Sequence, residues 1–287
     1  MSSWVIGQVL FNGLTIGSIY VLVSLGFNMV FGVMRIINFA HGELYMIGAF
    51  ITFLLYGFLK INYLLTLVVS AFAVGLFGVL LERTLFRRVR HEELNSMILS
   101  LGIALIIQNV FSLVFGPQDL SIPTAYTGII SLGFFSYPVE RLIMVLFSFI
   151  IISFVYIFIK FTRYGNAIRA VVQDLEAAAI QGIHINRVYS LSFGISASLA
   201  AIAGGLLGPI FSISPFMGSF ALIKAFIVVI LGGLGSFGGA VVGGLLLGFH
   251  DSIVSTFVGG AANDMMGFLI IILIILFRPS GLLGRRQ

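Results

Sequence analysis

The sequence predicts an all-α fold: a polytopic helical membrane protein with about 8-9 transmembrane helices and broken or re-entrant segments. Three observations predict it. Of its 287 residues 60% are hydrophobic and 9% charged, whereas an ordinary soluble domain carries roughly a quarter charged residues. Several apolar runs are long enough to cross ~30 Å of hydrocarbon, which takes about 20 residues of helix. Those runs do not alternate: FLIIILIILF (Phe268 to Phe277) is apolar throughout, whereas a membrane β-barrel shows ~10-residue segments of alternating polarity. The whole of 1–287 reads as a single transmembrane domain, including a cytoplasmic loop at 162–187.

The first run, about 5 to 31, has no basic residue before it. It is too long for the core of a cleaved secretory signal and reads as a retained first span. Further runs fall at about 44 to 59, 63 to 81, 96 to 115, 141 to 159, 188 to 211, 219 to 231, 240 to 257 and 266 to 277. Net charge is +5, but the placement of Lys and Arg says more than the total, because basic loops stay on the cytoplasmic side. ERTLFRRVRHEE holds Arg83, Arg87, Arg88 and Arg90; the loop after the fifth run holds Lys160, Arg163, Arg169 and Arg187; the tail holds Arg278, Arg285 and Arg286. All three are expected in the cytoplasm. Gly116 to Glu140 contains Asp119 and Glu140, no Lys or Arg, and prolines that bracket a loop signal, so it faces outward. Nine crossings with the N-terminus outside satisfy every assignment. Eight result if the glycine-rich region near 219 to 257 dips in and returns, and the N-terminus is then inside.

Glycine occurs 34 times, often four residues apart: Gly13 with Gly17, Gly204 with Gly208, Gly239 with Gly243, Gly244 with Gly248. That spacing lets helix backbones approach closely in lipid. It also arises by chance in a glycine-rich apolar chain.

Zero cysteines exclude disulfides, thiolate metal sites and cysteine nucleophiles. His41, His91, His184 and His250 are too widely spaced for a metal set, and no serine sits in a G-x-S-x-G elbow. The run Gly232, Gly233, Gly235, Ser236, Gly238, Gly239 is followed by Ala240 and Val241 rather than the Lys and Ser or Thr of a phosphate-binding loop. No metal, nucleotide, nucleic acid or catalytic chemistry is therefore expected in this chain.

Two constellations remain. RIINFAHGELYMIGAF places Arg35, Asn38, His41 and Glu43 between two apolar runs. Either they form a short cytoplasmic turn, or the chain breaks inside the protein and Asn38 with the backbone of Ala40 to Gly42 lines a polar cavity. A coarse similarity links this break to LGGLGSFGGAVVGGLLLG (Leu231 to Gly248), and paired interruptions mark a translocation site in many transporters. The path candidates are thus Asn38, His41, Gly42, Glu43, Gly232, Gly233, Gly235 and Ser236, with His41 more simply a hydrogen-bonded structural histidine. In RYGNAIRAVVQDLEAAAIQGIHINR, Asn166 can cap a helix from Ala167 to Gln181 that Gly182 ends. Ile168, Val171, Leu175 and Ala179 fall on one face, and Arg169, Gln173 and Glu176 on another. Such a helix either lies in the lipid interface or docks a soluble partner. Lys224 is placed at a membrane interface, and His250 with Asp251 beside an apolar run.

In order, GLTIGSIYVLVSLGFNMVFGVMRIINFAHGELYMIGAF, RYGNAIRAVVQDLEAAAIQGI, LIKAFIVVILGGLGSFGGAVVGGLLLG and LFRPSGLLG resemble the branched-chain amino acid ABC-importer permease family of the LivH and LivM type, over nearly the whole chain. The resemblance implies a bacterial or archaeal cytoplasmic (inner) membrane subunit that hydrolyses no ATP itself. It would work with a second permease subunit, two cytoplasmic ATP-binding subunits that carry ATP and Mg, and an extracytoplasmic solute-binding protein. Glu176, Ala177, Ala178 and Gly182 resemble the EAA-loop core of import permeases, although the usual downstream LP is missing. With Arg163, Gly165, Arg169 and Asp174 they are the expected ATPase-coupling residues. Leucine, isoleucine and valine are the default cargo, with urea, short amides or other amino acids as alternatives. A self-sufficient ion-coupled transporter or channel is the rival class, and it would need Glu43, Asp251 or Asp264 as ion ligands.

Overall fold

In hydrocarbon, backbone N–H and C=O groups have no water to bond, so each apolar run must close its hydrogen bonds within itself. The computed structural model describes residues 3–131, 136–278 and 280–284. Arg285, Arg286 and the side chain of Asp264 lie outside the described set. Helices α1 (Ser3–Met34), α2 (His41–Thr52), α3 (Tyr63–Leu81), α4 (Arg87–Val89), α5 (Glu93–Phe115) and α6 (Val139–Phe161) are followed by α7 (Arg163–Gln173) and α8 (Leu175–Ile180). Then come α9 (Ile185–Leu207), α10 (Met217–Gly232), α11 (Phe237–Phe257) and α12 (Gly260–Phe277). Among the described residues six helices are long and apolar enough to cross a membrane; α10 and Met265–Phe277 are shorter apolar helices. The protein is a multi-pass, all-α membrane protein.

Two departures from the sequence expectations are local. ERTLFRRVRHEE is not simply a loop: α3 runs on through a π-helical turn, Glu82–Phe86, into α4. Glu82 is fully buried there and binds Arg87 at 3.3 Å and Arg90 at 3.0 Å, while Ser190 of α9 donates to it. A buried carboxylate needs such partners. A small antiparallel ladder, β1 (Ile129–Ser131) with β2 (Ser136–Pro138), precedes α6.

A third departure concerns the loop helix, which is not one helix from Ala167 capped by Asn166. Thr162 is the cap, accepting from the Gly165 N–H at 3.0 Å. The chain breaks at Asp174 (φ −155°, ψ 110°), whose carboxylate accepts from the Ala177 N–H at 2.9 Å and starts α8. The short acidic side chain offers the backbone a bond that competes with the helix ladder. The break turns the expected face, so that Ile168, Val171 and Ala178 are buried while Leu175 and Ala179 are exposed.

The connections sort into two ends. At one, Leu120 pairs with Ile213, the Tyr56 hydroxyl donates to the Thr124 carbonyl at 3.1 Å, and Tyr137 donates to the Phe11 carbonyl at 2.9 Å. At the other, Arg90 donates to Asn186, and the N–H groups of Leu282 and Leu283 reach the carbonyls of Leu231 and Gly232 at 2.8 and 3.0 Å. The segment free of Lys and Arg lies at the first end and the basic segments at the second, as positive-inside segregation requires.

Helices α1 and α9 form the centre, each with 78% of an 18-residue apolar stretch buried. They are held by close backbone approach, since apolar burial alone gives helices little reason to associate in lipid. A Cβ on Gly248 of α11 would sit 2.2 Å from the Gly17 Cα of α1 and 2.6 Å from the Gly13 carbonyl oxygen. One on Gly204 of α9 would sit 2.0 Å from the Tyr45 carbonyl oxygen of α2. One on Gly243 of α11 would meet the Val228 carbonyl oxygen of α10 at 2.7 Å. The four-residue spacing is therefore a packing device. Between α10 and α11 the chain reverses through Gly233 (φ 105°) and Gly235 (φ 77°), a region open to glycine and costly for other residues. Asn28 of α1 clamps this turn, accepting from the Gly235 N–H at 2.6 Å and donating to the Ser236 carbonyl at 2.8 Å.

Gly248→Val is expected to force α1 and α11 apart and lower the thermal unfolding midpoint in detergent, at a cost of about 1–3 kcal/mol or more. Gly102→Ala, where a Cβ meets no atom within 4 Å, leaves the midpoint unchanged; equal midpoints for both variants would contradict the packing account. Asn28→Ala is expected to accelerate amide exchange at Gly235 roughly tenfold through loss of two modest hydrogen bonds. Unaltered exchange would mean that the turn is held by other contacts.

Candidate functional site

The first break is built inside the protein. Helix α1 ends as Arg35 takes φ 55°. The Asn38 side-chain oxygen accepts from the Ala40 N–H at 3.1 Å, an Asx turn that starts α2. The Ser100 hydroxyl of α5 accepts from the Phe39 N–H at 3.0 Å, so backbone freed from helix is paired at depth, as lipid demands. Asn38, His41 and Glu43 are 1%, 0% and 2% exposed, and only Arg35 of the quartet reaches the surface. The choice between a solvated turn and an internal break is thus settled for the break.

Its residues serve packing and hydrogen bonding rather than a cavity wall. His41 Nε2 lies 2.9 Å from the Val23 carbonyl, which accepts its proton. Glu43 accepts from Gln108 of α5 at 2.8 Å, and Gln108 also donates to Ser219 of α10 at 3.0 Å. A Cβ on Gly42 would lie 2.1 Å from the Gly218 carbonyl oxygen, so α2 and α10 touch backbone to backbone. Gly232 is likewise pressed against Gly239, and Gly233 against Gly284. Gly235 and Ser236 differ: with Arg35, Glu93 and Gln173 they border a cleft of about 740 Å³ at the basic end.

The loop helices meet that same end. A neighbouring cleft of about 520 Å³ is shared by the end of α1 at Arg35, by Arg90 and Tyr189, and by Asp174 and Glu176 at the α7–α8 corner. Gly165 is buried where a Cβ would lie 2.3 Å from the Ile159 carbonyl oxygen, so α7 folds tightly against the end of α6. Arg169 donates to Asn166 at 2.6 Å. Arg163, Glu176, Ala177 and Gly182 are exposed, and Ala178 is buried beneath them. Gly182 has φ 81° with no atom within 4 Å of a Cβ, leaving free space above the corner.

The other end holds what sequence reasoning placed wrongly. Lys224 is not at an interface: it is 4% exposed, inside the bundle, and its ammonium lies 2.9 Å from Asp251 of α11. Asp251 also accepts from the Tyr20 hydroxyl of α1 at 2.8 Å and faces His250 Nδ1 at 3.1 Å. The pair borders a cavity of about 490 Å³ between α1, α10, α11 and α12. Its mouth carries Phe211 and Phe216, about half exposed, beside the Ile213 that pairs with the Lys- and Arg-free segment. An ionisable residue within an apolar run was the available signal. Nothing local in the sequence joined Lys224 to a partner 27 residues away.

The arrangement is a sealed, glycine-packed core with a charged, apolar-walled cavity at one end and polar clefts beside a surface corner at the other. Comparison with known proteins agrees with that form. Residues 9–277 match a family described as the branched-chain amino acid transport system permease component. The chain is 38% identical to the high-affinity branched-chain amino acid transport system permease protein LivH of Escherichia coli (strain K12), over 98% of this chain and 96% of that protein. It is 36% identical to the permease protein BraD of Pseudomonas aeruginosa over the same shares, and 26% identical to the E. coli permease protein LivM over 94% of this chain and 68% of that one. No solved structure matches the chain significantly. With the family model spanning nearly its full length, the chain belongs to the permease components of branched-chain amino acid transport systems.

Proposed function

We propose that this permease is one transmembrane subunit of an ATP-driven, binding-protein-dependent importer of leucine, isoleucine and valine in the cytoplasmic (inner) membrane. The observation that carries the reading is a continuous mechanical link within a chain of this family. The exposed α7–α8 corner borders the inner end of α1, and the same helix lines the outer cavity with Ile16, Ile19, Tyr20 and Val23. Between Met34 and Tyr20 the helix spans about 20 Å. A push on the corner is thus transmitted by one rigid rod to the cavity wall.

In this reading α1, α2 with its π-helical turn, α3, α5, α6, α9, α10, α11 and α12 cross the membrane in alternating directions, nine times, with the N-terminus outside. The likeness to both LivH and LivM supports a second, related permease as the other half of the path. Two cytoplasmic ATP-binding subunits would hold ATP and Mg and seat the corner at Glu176, Ala177 and Gly182, with Arg163, Arg169 and Asp174 around it. A solute-binding protein would deliver cargo at the outer mouth. An ion-coupled transporter needs acidic ligands available at depth, and here Asp251 is bonded to Lys224 and one oxygen of Glu43 to Gln108.

The chain is expected to co-purify with an ATPase, and reconstituted leucine uptake is expected to stop without ATP or without the binding protein; uptake by this chain alone on an ion gradient would refute the assignment. Glu176→Lys and Gly182→Asp should insert normally and lose the ATPase from the purified complex. Normal assembly and uptake in both variants would remove the coupling role from the corner.

A further inference from the structure

At the basic end, the π-helical turn after α3 and the start of α9 enclose a cleft of about 460 Å³ lined by Arg83, Arg87, Arg187 and His184. Three guanidinium groups thus border one concavity. The carboxylate nearest to them in the chain, Glu82, is fully buried and already shared between Arg87 and Arg90. Among the described residues no hydrogen bond or ion pair engages the side chain of Arg83 or Arg187, and both residues are exposed. Arg83 and Arg87 stand four residues apart, where like charges repel, and Arg187 adds a third cation from another helix. A second feature adjoins the first. Arg83 follows the last apolar turn of α3, and Phe72, Leu76 and Leu80, which are 75%, 62% and 54% exposed, lie on the same helix face by their four- and three-residue spacing.

From this geometry we infer that the Arg83–Arg87–Arg187 cleft binds the phosphodiester headgroup of an anionic glycerophospholipid of the cytoplasmic leaflet, with an acyl chain lying along Phe72, Leu76 and Leu80. Segregation of basic residues to the inner side explains why arginines occur at this end. It does not explain why three of them, from two helices, border one cleft at the foot of an apolar track. The guanidinium fork matches phosphate oxygens two at a time, and basic clefts between helices on the cytoplasmic side suit anionic headgroups. A soluble phosphate would use the cations and leave the track idle. A zwitterionic lipid would use the track but bring its own cation against the arginines. An anionic lipid satisfies both parts, relieving the repulsion among the guanidinium groups and covering exposed apolar surface. Because the cleft joins the end of α3 to the start of α9, the bound lipid would tie those two helices together at the membrane surface.

The purified complete transporter is reconstituted in phosphatidylcholine vesicles that contain a trace of phosphatidylglycerol, or of phosphatidylcholine, carrying the same photoreactive group on one acyl chain. Cross-linked peptides of this subunit are then mapped by mass spectrometry. The phosphatidylglycerol probe is expected to mark the Phe72–Leu80 segment roughly tenfold more than the phosphatidylcholine probe, since each arginine near the surface adds appreciably to anionic-lipid binding. Both probes are expected to mark Leu101 and Leu105 of α5 alike, which are exposed away from the cleft. Arg83→Gln/Arg187→Gln should abolish the preference at α3, whereas Arg88→Gln, an exposed arginine outside the cleft, should retain it. Equal marking of α3 by the two probes, or an undiminished preference in the double variant, would overturn the inference. Suppression of the preference by inorganic phosphate would assign the cleft to a soluble anion and overturn it as well. Loss of the ATP-binding subunits from the double variant with lipid marking intact would assign the arginines to a protein partner instead. If the double variant does not assemble, the comparison of the two probes on the native transporter decides alone.

Discussion

The contact between α1 and α11 is the constraint on which the rest of the structure depends. Apolar side chains gain nothing by leaving lipid for one another, so two helices stay together only if their backbones come close enough for dense packing and weak polar contacts. Gly13, Gly17, Gly244 and Gly248 provide that approach, with each glycine meeting backbone or a side-chain root on the other helix. Once α1 and α11 are joined, the Lys224–Asp251 pair falls between α10 and α11 facing Tyr20 of α1, and Asn28 of α1 reaches the turn at Gly235. Both ends of the molecule thus refer to one helix pair.

The same economy governs polar groups in the core. Ser18, Ser24 and Thr52 return their hydroxyl protons to carbonyls of their own helices, at 2.9, 3.1 and 2.9 Å, so they add small volume without demanding a partner across the interface. Where the helix is broken, a polar side chain stands in for the missing ladder: Asn38 and Ser100 at the first break, Asn28 and Ser236 at the second. The two broken hairpins, α1–α2 and α10–α11, interlock, with α1 against α11 and α2 against α10. Two buried carboxylates are paired with cations, Glu82 with Arg87 and Arg90 near the basic end and Asp251 with Lys224 midway along α10, while Glu43 is bonded to the neutral Gln108.

Much of this was legible beforehand. The apolar runs match the helices to within a few residues, and the run at 63 to 81 coincides with α3. The buried break at Asn38 was one of two readings because Ile36, Ile37, Phe39 and Ala40 are apolar, and the second reading, a solvated turn, failed when Ile36 and Ala40 proved fully packed. The loop helix was legible as amphipathic, but its cap and its face were not. Thr162 and Asn166 are both good caps, and Asp174 tolerates helix or break until its neighbours choose. Of the path candidates, Gly235 and Ser236 border a cleft, while Asn38, His41, Gly42 and Glu43 are buried in contacts between helices.

By itself the amino-acid sequence determined the all-α class, the positions of the membrane segments and the sorting of loops between two sides. Those follow from transfer energies and charges that add along the chain, so no knowledge of neighbours is needed. Only the tertiary structure decided which glycine meets which, that Lys224 answers Asp251, and that the α7–α8 corner touches the end of α1. Each of those is a distance between segments far apart in the chain, and a contact of that kind acquires its energy only after the helices have already come together.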